Sequence, residues 1–187
     1  MRKLKLQVQI SVDAYIAGPN GEMDSFVWDW DDELKKFVGD LTDPVDHIVL
    51  GRKLAEGFIP YWKEVAANPK DPQFESGKKF HETAKIVFTK TLEKSEWENT
   101  VLAKDNIADE INKLKKQEGN DIIAYGGAGF VSSLIEKNLI DELYLFVNPV
   151  ALGDGMKIFT GKTNLKLEKS IPFECGINVL IYKPKKV

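Results

Sequence analysis

The chain has 187 residues, of which 43% are hydrophobic and 29% are charged, as in ordinary soluble globular proteins. Its 26 Lys and Arg residues nearly balance its 29 Asp and Glu residues, so the net charge is only −3. This balance argues against a nucleic-acid partner, and the lack of any apolar run of roughly 18 residues argues against a membrane partner.

Cysteine and histidine are too sparse for a disulfide framework or a metal site. Cys175 is the only cysteine, so we expect a reducing, cytoplasmic environment. His47 and His81 lack ligand spacing with any Cys, Asp or second His, so we expect no bound metal. The first five residues lack the apolar segment of a signal peptide, and the length suits one domain over residues 1–187.

The N-terminal third predicts two strands, each followed by a helix. Residues 4–12 alternate strictly between apolar and polar side chains, which is typical of a strand. A glycine- and proline-containing loop over 13–21 follows, and 28–39 read as a helix with acidic first turns. An apolar strand at 47–50 and a short helix at 52–58 complete this part.

The middle third is less regular at first. Residues 60–80 hold three prolines and little periodicity, which indicates a long surface loop with room for one helical turn. Strands are predicted at 85–89 and, more weakly, at 100–103, and a helix at 106–116.

The last third begins with a strand, a glycine turn and a helix within residues 121–136. Tyr125 ends the strand, and a four-residue apolar period starts at Phe130. The further predictions are a buried strand at 142–147, a loop at 148–155, strands at 165–168 and 176–182, and a solvated tail at 183–187.

Strands that alternate with helices predict an α/β fold whose largely parallel sheet is covered on both faces, a three-layer α/β/α arrangement. The closing strands without helices predict an antiparallel C-terminal edge. In such folds ligands gather at the C-terminal ends of the parallel strands.

Those strand ends carry groups suited to a phosphorylated ligand. The glycine turn (Gly126–Gly129) lets backbone N–H groups at a helix start approach a phosphate, although an ordinary tight connection is the alternative. Arg52 and Lys53 follow the second strand, and Thr89 and Lys90 follow the third. Together they suggest a phosphorylated dinucleotide, and the extra positive charge favours NADPH over NADH.

Several short segments occur in the order of a known fold: residues 11–17, Gly51-Arg52, Gly126–Ala128, residues 139–143 and residues 148–153. With them the chain resembles the dihydrofolate reductase-like fold, and within it the C-terminal reductase domain of the bifunctional riboflavin biosynthesis deaminase/reductase. The resemblance implies an NADPH-dependent reductase of a small heterocycle, similar to 5-amino-6-(5-phosphoribosylamino)uracil reductase, and a homodimer. The alternatives are dihydrofolate reductase activity, a non-catalytic dinucleotide-binding module, and a structural dimer without a ligand.

The same resemblance implies roles for individual residues. The implied cofactor contacts are Ile16, Ala17 and Gly21 at the nicotinamide, Gly51, Arg52, Lys53, Thr89 and Lys90 towards the adenosine 2′-phosphate, and Gly126, Gly127, Ala128, Gly129 and Phe130 at the pyrophosphate. Glu33 matches the catalytic carboxylate of the first helix, with Asp32 next to it, although an acidic helix start explains both equally well.

The implied substrate contacts are Asp13, Trp28 and Tyr125. Trp28 could stack on a flat ring or serve as a core or dimer contact. Tyr125 stands where relatives tend to have an acid, and Ala14 stands where they commonly have Gly.

Overall fold

A computed structural model describes residues 1–185. In chain order its elements are β1 (Leu4–Ile10), β2 (Tyr15–Ala17), α1 (Asp32–Thr42), β3 (Val45–Gly51), α2 (Arg52–Ala67), α3 (Phe74–Glu82), β4 (Ala84–Phe88), β5 (Thr100–Ala103), α4 (Ile107–Lys116), β6 (Asp121–Tyr125), α5 (Ala128–Glu136), β7 (Glu142–Val147), β8 (Met156–Lys157), β9 (Leu165–Pro172) and β10 (Asn178–Pro184).

Eight strands form one sheet in the order β5-β4-β3-β6-β1-β7-β10-β9, and β2 pairs with β8 in a separate two-stranded sheet. The first six strands of that order run parallel to one another. β10 is antiparallel to both β7 and β9. The predicted mixed sheet with an antiparallel C-terminal edge is therefore confirmed.

Helices cover both faces of this sheet. On one face α4 and α5 pack over a cluster that contains the apolar side chains of β1. On the other face α1, α2 and α3 pack over a second cluster that contains Leu50, Ile123 and Phe146. These two cores confirm the three-layer α/β/α arrangement, with β1 and β6 at its centre.

The prediction of a loop over 60–80 was wrong. α2 continues through Pro60 to Ala67, and α3 follows after a short connection. The two helices pack closely, since a Cβ on Gly77 would lie 2.6 Å from Cγ1 of Val65. Pro60 is exposed, so its ring points to solvent, and the packing between helices outweighs the roughly 3 kcal/mol that an internal proline costs.

Smaller differences arise at element ends. α1 begins at Asp32 rather than at Trp28, because the Asp31 carboxylate caps it by accepting the Leu34 N–H at 2.7 Å. The predicted loop over 13–21 contains β2, β9 is longer than predicted, and β10 lies two residues later than predicted. Lys183 and Pro184 of the predicted tail belong to β10, and positions 186–187 of that prediction lie outside the described residues.

Candidate functional site

The candidate site lies where the parallel strands end. Because β1, β3, β4, β5, β6 and β7 run in the same direction, the segments after them meet at one edge of the sheet. The sequence-predicted groups after β3, β4 and β6 therefore share this edge, as expected.

The glycine turn leaves the start of α5 open. Gly127 is the N-cap residue, no side chain caps the helix, and its first turn holds no acidic residue. Gly127 and Gly129 are exposed, and a Cβ on either would meet no atom within 4 Å. The unpaired N–H groups at this helix start are therefore accessible to an anion.

Phe130 fixes this helix start to the sheet rather than offering its ring to a ligand. A Cβ on Gly51 or on Gly126 would lie 2.9 Å from an atom of the Phe130 side chain, so both glycines are needed for the close approach. The Phe130 ring also packs on Phe88, with ring centroids 5.3 Å apart. The Phe130 ring is therefore occupied by packing, and only the backbone N–H of this residue is available to a cofactor.

The start of α2 lies beside the start of α5 through this contact. Gly51 is the N-cap of α2, again without a capping side chain and without an acidic residue in the first turn. Arg52 pairs with Glu56 at 2.6 Å, whereas Lys53 is exposed and has no ion pair among residues 1–185.

The segment at the end of β4 adds the side chains of Lys90 and Thr89 to this edge. Lys90 is exposed, and no ion pair involves it within the described part of the chain. Thr89 is buried, and its oxygen accepts the N–H groups of Thr91 and Leu92, both at 3.1 Å. Only the Thr89 proton is thus left for a ligand, which weakens the role implied for it.

The segment after Lys90 forms a shallow depression of about 630 Å³. It is lined by Thr91, Leu92, Glu93, Lys94, Glu96 and Trp97. Lys104, at the end of β5, donates to the carbonyl oxygen of Glu93 at 3.3 Å. Sequence reasoning missed Lys104, although its place directly after a strand is the same signal that identified Arg52 and Lys90.

Asp13 ties two loops of the site together. Its carboxylate accepts hydrogen bonds from the Ser11 hydroxyl at 2.5 Å and from the N–H groups of Leu152 and Gly153 at 3.1 and 2.7 Å. These hydrogen bonds lower the pKa of Asp13 to about 2, and the bond from Ser11 has the largest effect. Asp13 thus serves a structural role, and its contact with a substrate stays a prediction.

The loop after β1 has an unusual backbone. Ala14 has a φ of 67°, a left-handed conformation that favours glycine. The Gly that the resemblance implies at this position would adopt this backbone without steric cost.

The implied nicotinamide contacts lie on β2 and the turn after it. Ile16 and Ala17 are buried in the first core, so their side chains are committed to packing. Gly155 lies so close to this strand that a Cβ there would be 2.2 Å from the Ala17 carbonyl oxygen. Gly21 is exposed, with a φ of 94°. The backbone of this segment, rather than its side chains, is available to a ligand.

The two candidate catalytic carboxylates face solvent. Asp32 and Glu33 are exposed at the first turn of α1, and Asp32 pairs with Lys35 at 3.6 Å. The residue of this turn that packs against the sheet is Leu34, which is fully buried. This position does not favour either carboxylate as the proton donor, and their catalytic role stays a prediction.

Trp28 is 53% exposed in the loop before α1, where its indole N–H donates to the Met23 carbonyl oxygen at 3.1 Å. Trp30, by contrast, packs on Phe146 with ring centroids 6.2 Å apart. An exposed ring at this edge is free to stack on a flat ligand.

Tyr125 points towards the α2 and α3 side of the sheet. Its ring stacks on Phe58 with centroids 5.4 Å apart, and its hydroxyl donates to Oε1 of Gln7 at 3.0 Å. Burial raises the pKa of this hydroxyl above its usual range, so it remains protonated. Gln7 and Gln9 were not among the sequence-predicted site residues, because polar residues on one face of a strand are usually taken to face solvent.

The RibD C-terminal domain model matches residues 2–179. The chain belongs to the RibD C-terminal domain family. One relative in this comparison is the uncharacterized protein YyaP of Bacillus subtilis (strain 168). It is 33% identical over 187 residues, which cover 97% of this chain and 94% of the relative.

Three solved structures with the RibD C-terminal domain or a related fold align over nearly the whole chain. A Shewanella sp. PV-4 protein provisionally assigned to riboflavin biosynthesis has a TM-score of 0.73 and 20% identity, and 98% of this chain and 99% of that chain are covered. The deaminase/5-amino-6-(5-phosphoribosylamino)uracil reductase of Thermotoga maritima has a TM-score of 0.68 and 17% identity, over 98% of this chain and 57% of that one. Dihydrofolate reductase of Enterococcus faecalis, complexed with NADP(H), has a TM-score of 0.64 and 17% identity, over 98% and 97%.

These TM-scores show a shared dihydrofolate reductase-like fold. Since the RibD C-terminal domain is a reductase domain, membership places the chain in an oxidoreductase family. Among residues 1–185 no helix is long and apolar enough to cross a bilayer.

Proposed function

We propose that this protein is an NADPH-dependent reductase of a small heterocyclic substrate, similar to 5-amino-6-(5-phosphoribosylamino)uracil reductase. The observation that carries the proposal is the pair of uncapped helix starts, α2 and α5, held together by Phe130 at one edge of the sheet. Family membership and the likeness to an NADP(H)-bound dihydrofolate reductase support it.

The other helices of the described chain lack this combination. α1 and α4 are capped by Asp31 and Asn106, and α1, α3 and α4 each carry acidic residues in the first turn. Only α2 and α5 begin at a glycine, without a cap and without a carboxylate. Each helix start carries about half a positive charge, so the pair favours a ligand with two anionic groups.

A dinucleotide phosphate matches this arrangement. The pyrophosphate would bind the N–H groups of the turn from Gly126 to Phe130, and the 2′-phosphate would bind near Gly51 with Arg52, Lys53 and Lys90. The Arg52–Glu56 pair is no obstacle, since an exposed i,i+4 pair is worth only about 0.3–0.5 kcal/mol. A phosphate that accepts a charge-assisted bond from Arg52 gains more than that.

When bound, NADPH supplies the hydride. The protein would position the nicotinamide along the backbone from Ile16 to Gly21, with the exposed Trp28 ring stacked on the substrate. Positioning of this kind supplies most of the rate in such a mechanism, and a proton would come from water or from an exposed carboxylate such as Glu33 or Asp32.

A second candidate function is a dinucleotide-binding module without turnover. It is favoured by the buried Leu34 in the first turn of α1, where a catalytic carboxylate would have to face the sheet, and by the protonated Tyr125. Dihydrofolate reduction is the third candidate and rests on the fold alone.

A homodimer and a cytoplasmic location remain predictions. The dimer can be tested by light scattering of the full chain over a tenfold concentration range. A mass that stays at the 21.1 kDa of one chain would contradict it.

The central test is a titration with NADPH and NADH, followed by tryptophan fluorescence and by the thermal midpoint. We expect NADPH to bind more tightly than NADH, and to be oxidised in the presence of one member of a panel of pyrimidines, pterins and quinones. Binding without oxidation of NADPH across the panel would favour the non-catalytic module. No response at millimolar NADPH would exclude both.

A further inference from the structure

The central strand has an entirely polar face. Lys5, Gln7 and Gln9 alternate along β1 and form what we call the polar row. Lys5 and Gln7 are only 7% and 9% exposed, and burial of this degree is unusual for Lys and Gln side chains. Gln7 is in register with Tyr144 and Gln9 with Phe146, whose rings pack against α1, so the row lies on the α1 and α2 face.

The helices of that face stand on either side of the row. Phe37 of α1 packs on β7 through Tyr144 and Phe146. Phe58 of α2 and Phe80 of α3 pack on Tyr125 of β6. Since β1 lies between β6 and β7, the polar row lies between the two sets of helix contacts.

Each member of the row is paired sideways with a neighbouring strand. Lys5 forms an ion pair with Asp121 of β6 at 2.8 Å, and Oε1 of Gln7 accepts the Tyr125 hydroxyl. Oε1 of Gln9 accepts a hydrogen bond from Nδ2 of Asn148 at 2.8 Å. The Asn148 amide is itself oriented, because its Oδ1 accepts the Val27 N–H at 2.9 Å.

These bonds leave the two glutamine NH2 groups unused. Neither Nε2 has a hydrogen-bond partner among residues 1–185, yet no buried side-chain nitrogen or oxygen of that range is unpartnered. Both nitrogens therefore keep some accessible surface between the two sets of helix contacts. Each carbonyl oxygen already accepts one hydrogen bond, which fixes the direction of its amide, so the groups that Gln7 and Gln9 present without a partner are the NH2 donors.

We infer that Gln7 and Gln9 determine substrate specificity by donating their NH2 groups to two carbonyl oxygens of a flat, neutral heterocycle that binds between the two sets of helix contacts. Tyr125 and Asn148 are positioning residues, because their hydrogen bonds to Oε1 keep the side-chain amides of Gln7 and Gln9 from flipping. The inference rests on the proposed function for its site, but it concerns binding and needs no cofactor chemistry.

A matched pair of probes tests it. 5,6-Diaminouracil presents two ring carbonyl oxygens, and 2,4,5,6-tetraaminopyrimidine has amino groups in their place. Calorimetry on the full chain, with and without NADPH, should show the dione bound at least about tenfold more tightly, since one hydrogen bond corresponds to roughly that factor.

Gln7→Glu exchanges the donor for an acceptor of the same shape. We expect it to weaken dione binding about tenfold and to strengthen tetraamine binding. Tyr125→Phe should lower the dione-to-tetraamine preference severalfold. Without the Tyr125 hydroxyl, the side-chain amide of Gln7 can flip and present its oxygen to the ligand instead of its NH2 group. Tyr144→Phe is the matched control: its hydroxyl donates to Glu142 on the same face, and the preference should be unchanged.

The preference ratio separates specificity from general damage, because loss of folded protein weakens both probes equally. No dione binding, no preference in the wild type, or an unchanged ratio in Gln7→Glu would overturn the inference. If Gln7→Glu fails to fold, the ratio in Tyr125→Phe decides. A dione preference without NADPH binding would refute only the proposed function, and NADPH binding without the preference would refute only this inference.

Discussion

Replacing Gly127 with Val should abolish cofactor binding and leave the fold intact. Gly127 has a φ of −70° and a ψ of 162°, an extended backbone that valine adopts readily. A Cβ there would meet no atom within 4 Å, so the new side chain fills only the space in front of the α5 start. That space is where the pyrophosphate is proposed to bind.

The expected effects on binding and stability differ in size. Blocking two charge-assisted hydrogen bonds from the helix start removes about 3–6 kcal/mol, or roughly 10²- to 10⁴-fold in Kd. The exchange of Gly for Val at an N-cap costs about 1 kcal/mol of folding stability, which lowers the thermal midpoint by roughly 2–4 °C in a chain of this size.

Two further glycines serve as controls in the same NADPH titration. Gly161→Val adds the same side chain at an open position near the C-terminal end of α5 and should bind NADPH normally. Gly126→Ala places a Cβ 2.9 Å from the Phe130 ring and should lower the thermal midpoint instead. A Kd for Gly127→Val within about threefold of wild type would refute the assignment of the pyrophosphate to this turn.

Three other substitutions probe the loops around the site. For Asp13→Asn, the stabilising effect of the carboxylate is fully present above its unfolded pKa near 3.8 and is lost as the pH falls towards 2, because its folded pKa is lowered to about 2. The difference in thermal midpoint from wild type should therefore shrink between pH 4 and pH 2, and a difference that persists at pH 2 would argue against the two-loop contact. Ala14→Gly should raise the free energy of unfolding by about 0.5–1 kcal/mol in urea titrations, since relief of the left-handed backbone exceeds the entropy that glycine adds to the unfolded chain; a destabilised variant would contradict this. Gly155→Ala should lower the free energy of unfolding by about 1–3 kcal/mol, because the new Cβ would clash with the Ala17 carbonyl oxygen. Gly161→Ala, at an open position, is its control. A neutral effect of Gly155→Ala would show that the two-stranded sheet can shift.

The fold was predictable wherever local pattern and tertiary packing agree. The strand at 142–147 is buried on both faces, and the helix at 106–116 has one apolar face and an Asn106 cap, so each was identified within a residue. Residues 60–80 were missed because the breaker signal of Pro60 is local, whereas the contact of Gly77 with Val65 lies between helices and leaves no periodic trace.

The site was predictable where it depends on backbone and much less where it depends on side-chain direction. The glycine turn and Arg52 lie at the expected edge because strand order alone places them there. The sequence does not reveal that Phe130 and Thr89 turn their side chains inward, or that Glu33 faces solvent. The polar row was missed for the same reason, since Gln7 is buried by helices whose positions the strand itself does not encode.

If NADPH binds as proposed, the Phe130 ring links the affinity for the cofactor to packing in the core. It rests on Gly51 and Gly126 at once, so one side chain sets the separation of the two helix starts. A ligand with two anionic groups a fixed distance apart binds best when that distance matches the separation of the two helix starts. Changes behind the ring, at Phe88 for example, should then register first as altered discrimination between NADPH and NADH, before any loss of stability is measurable.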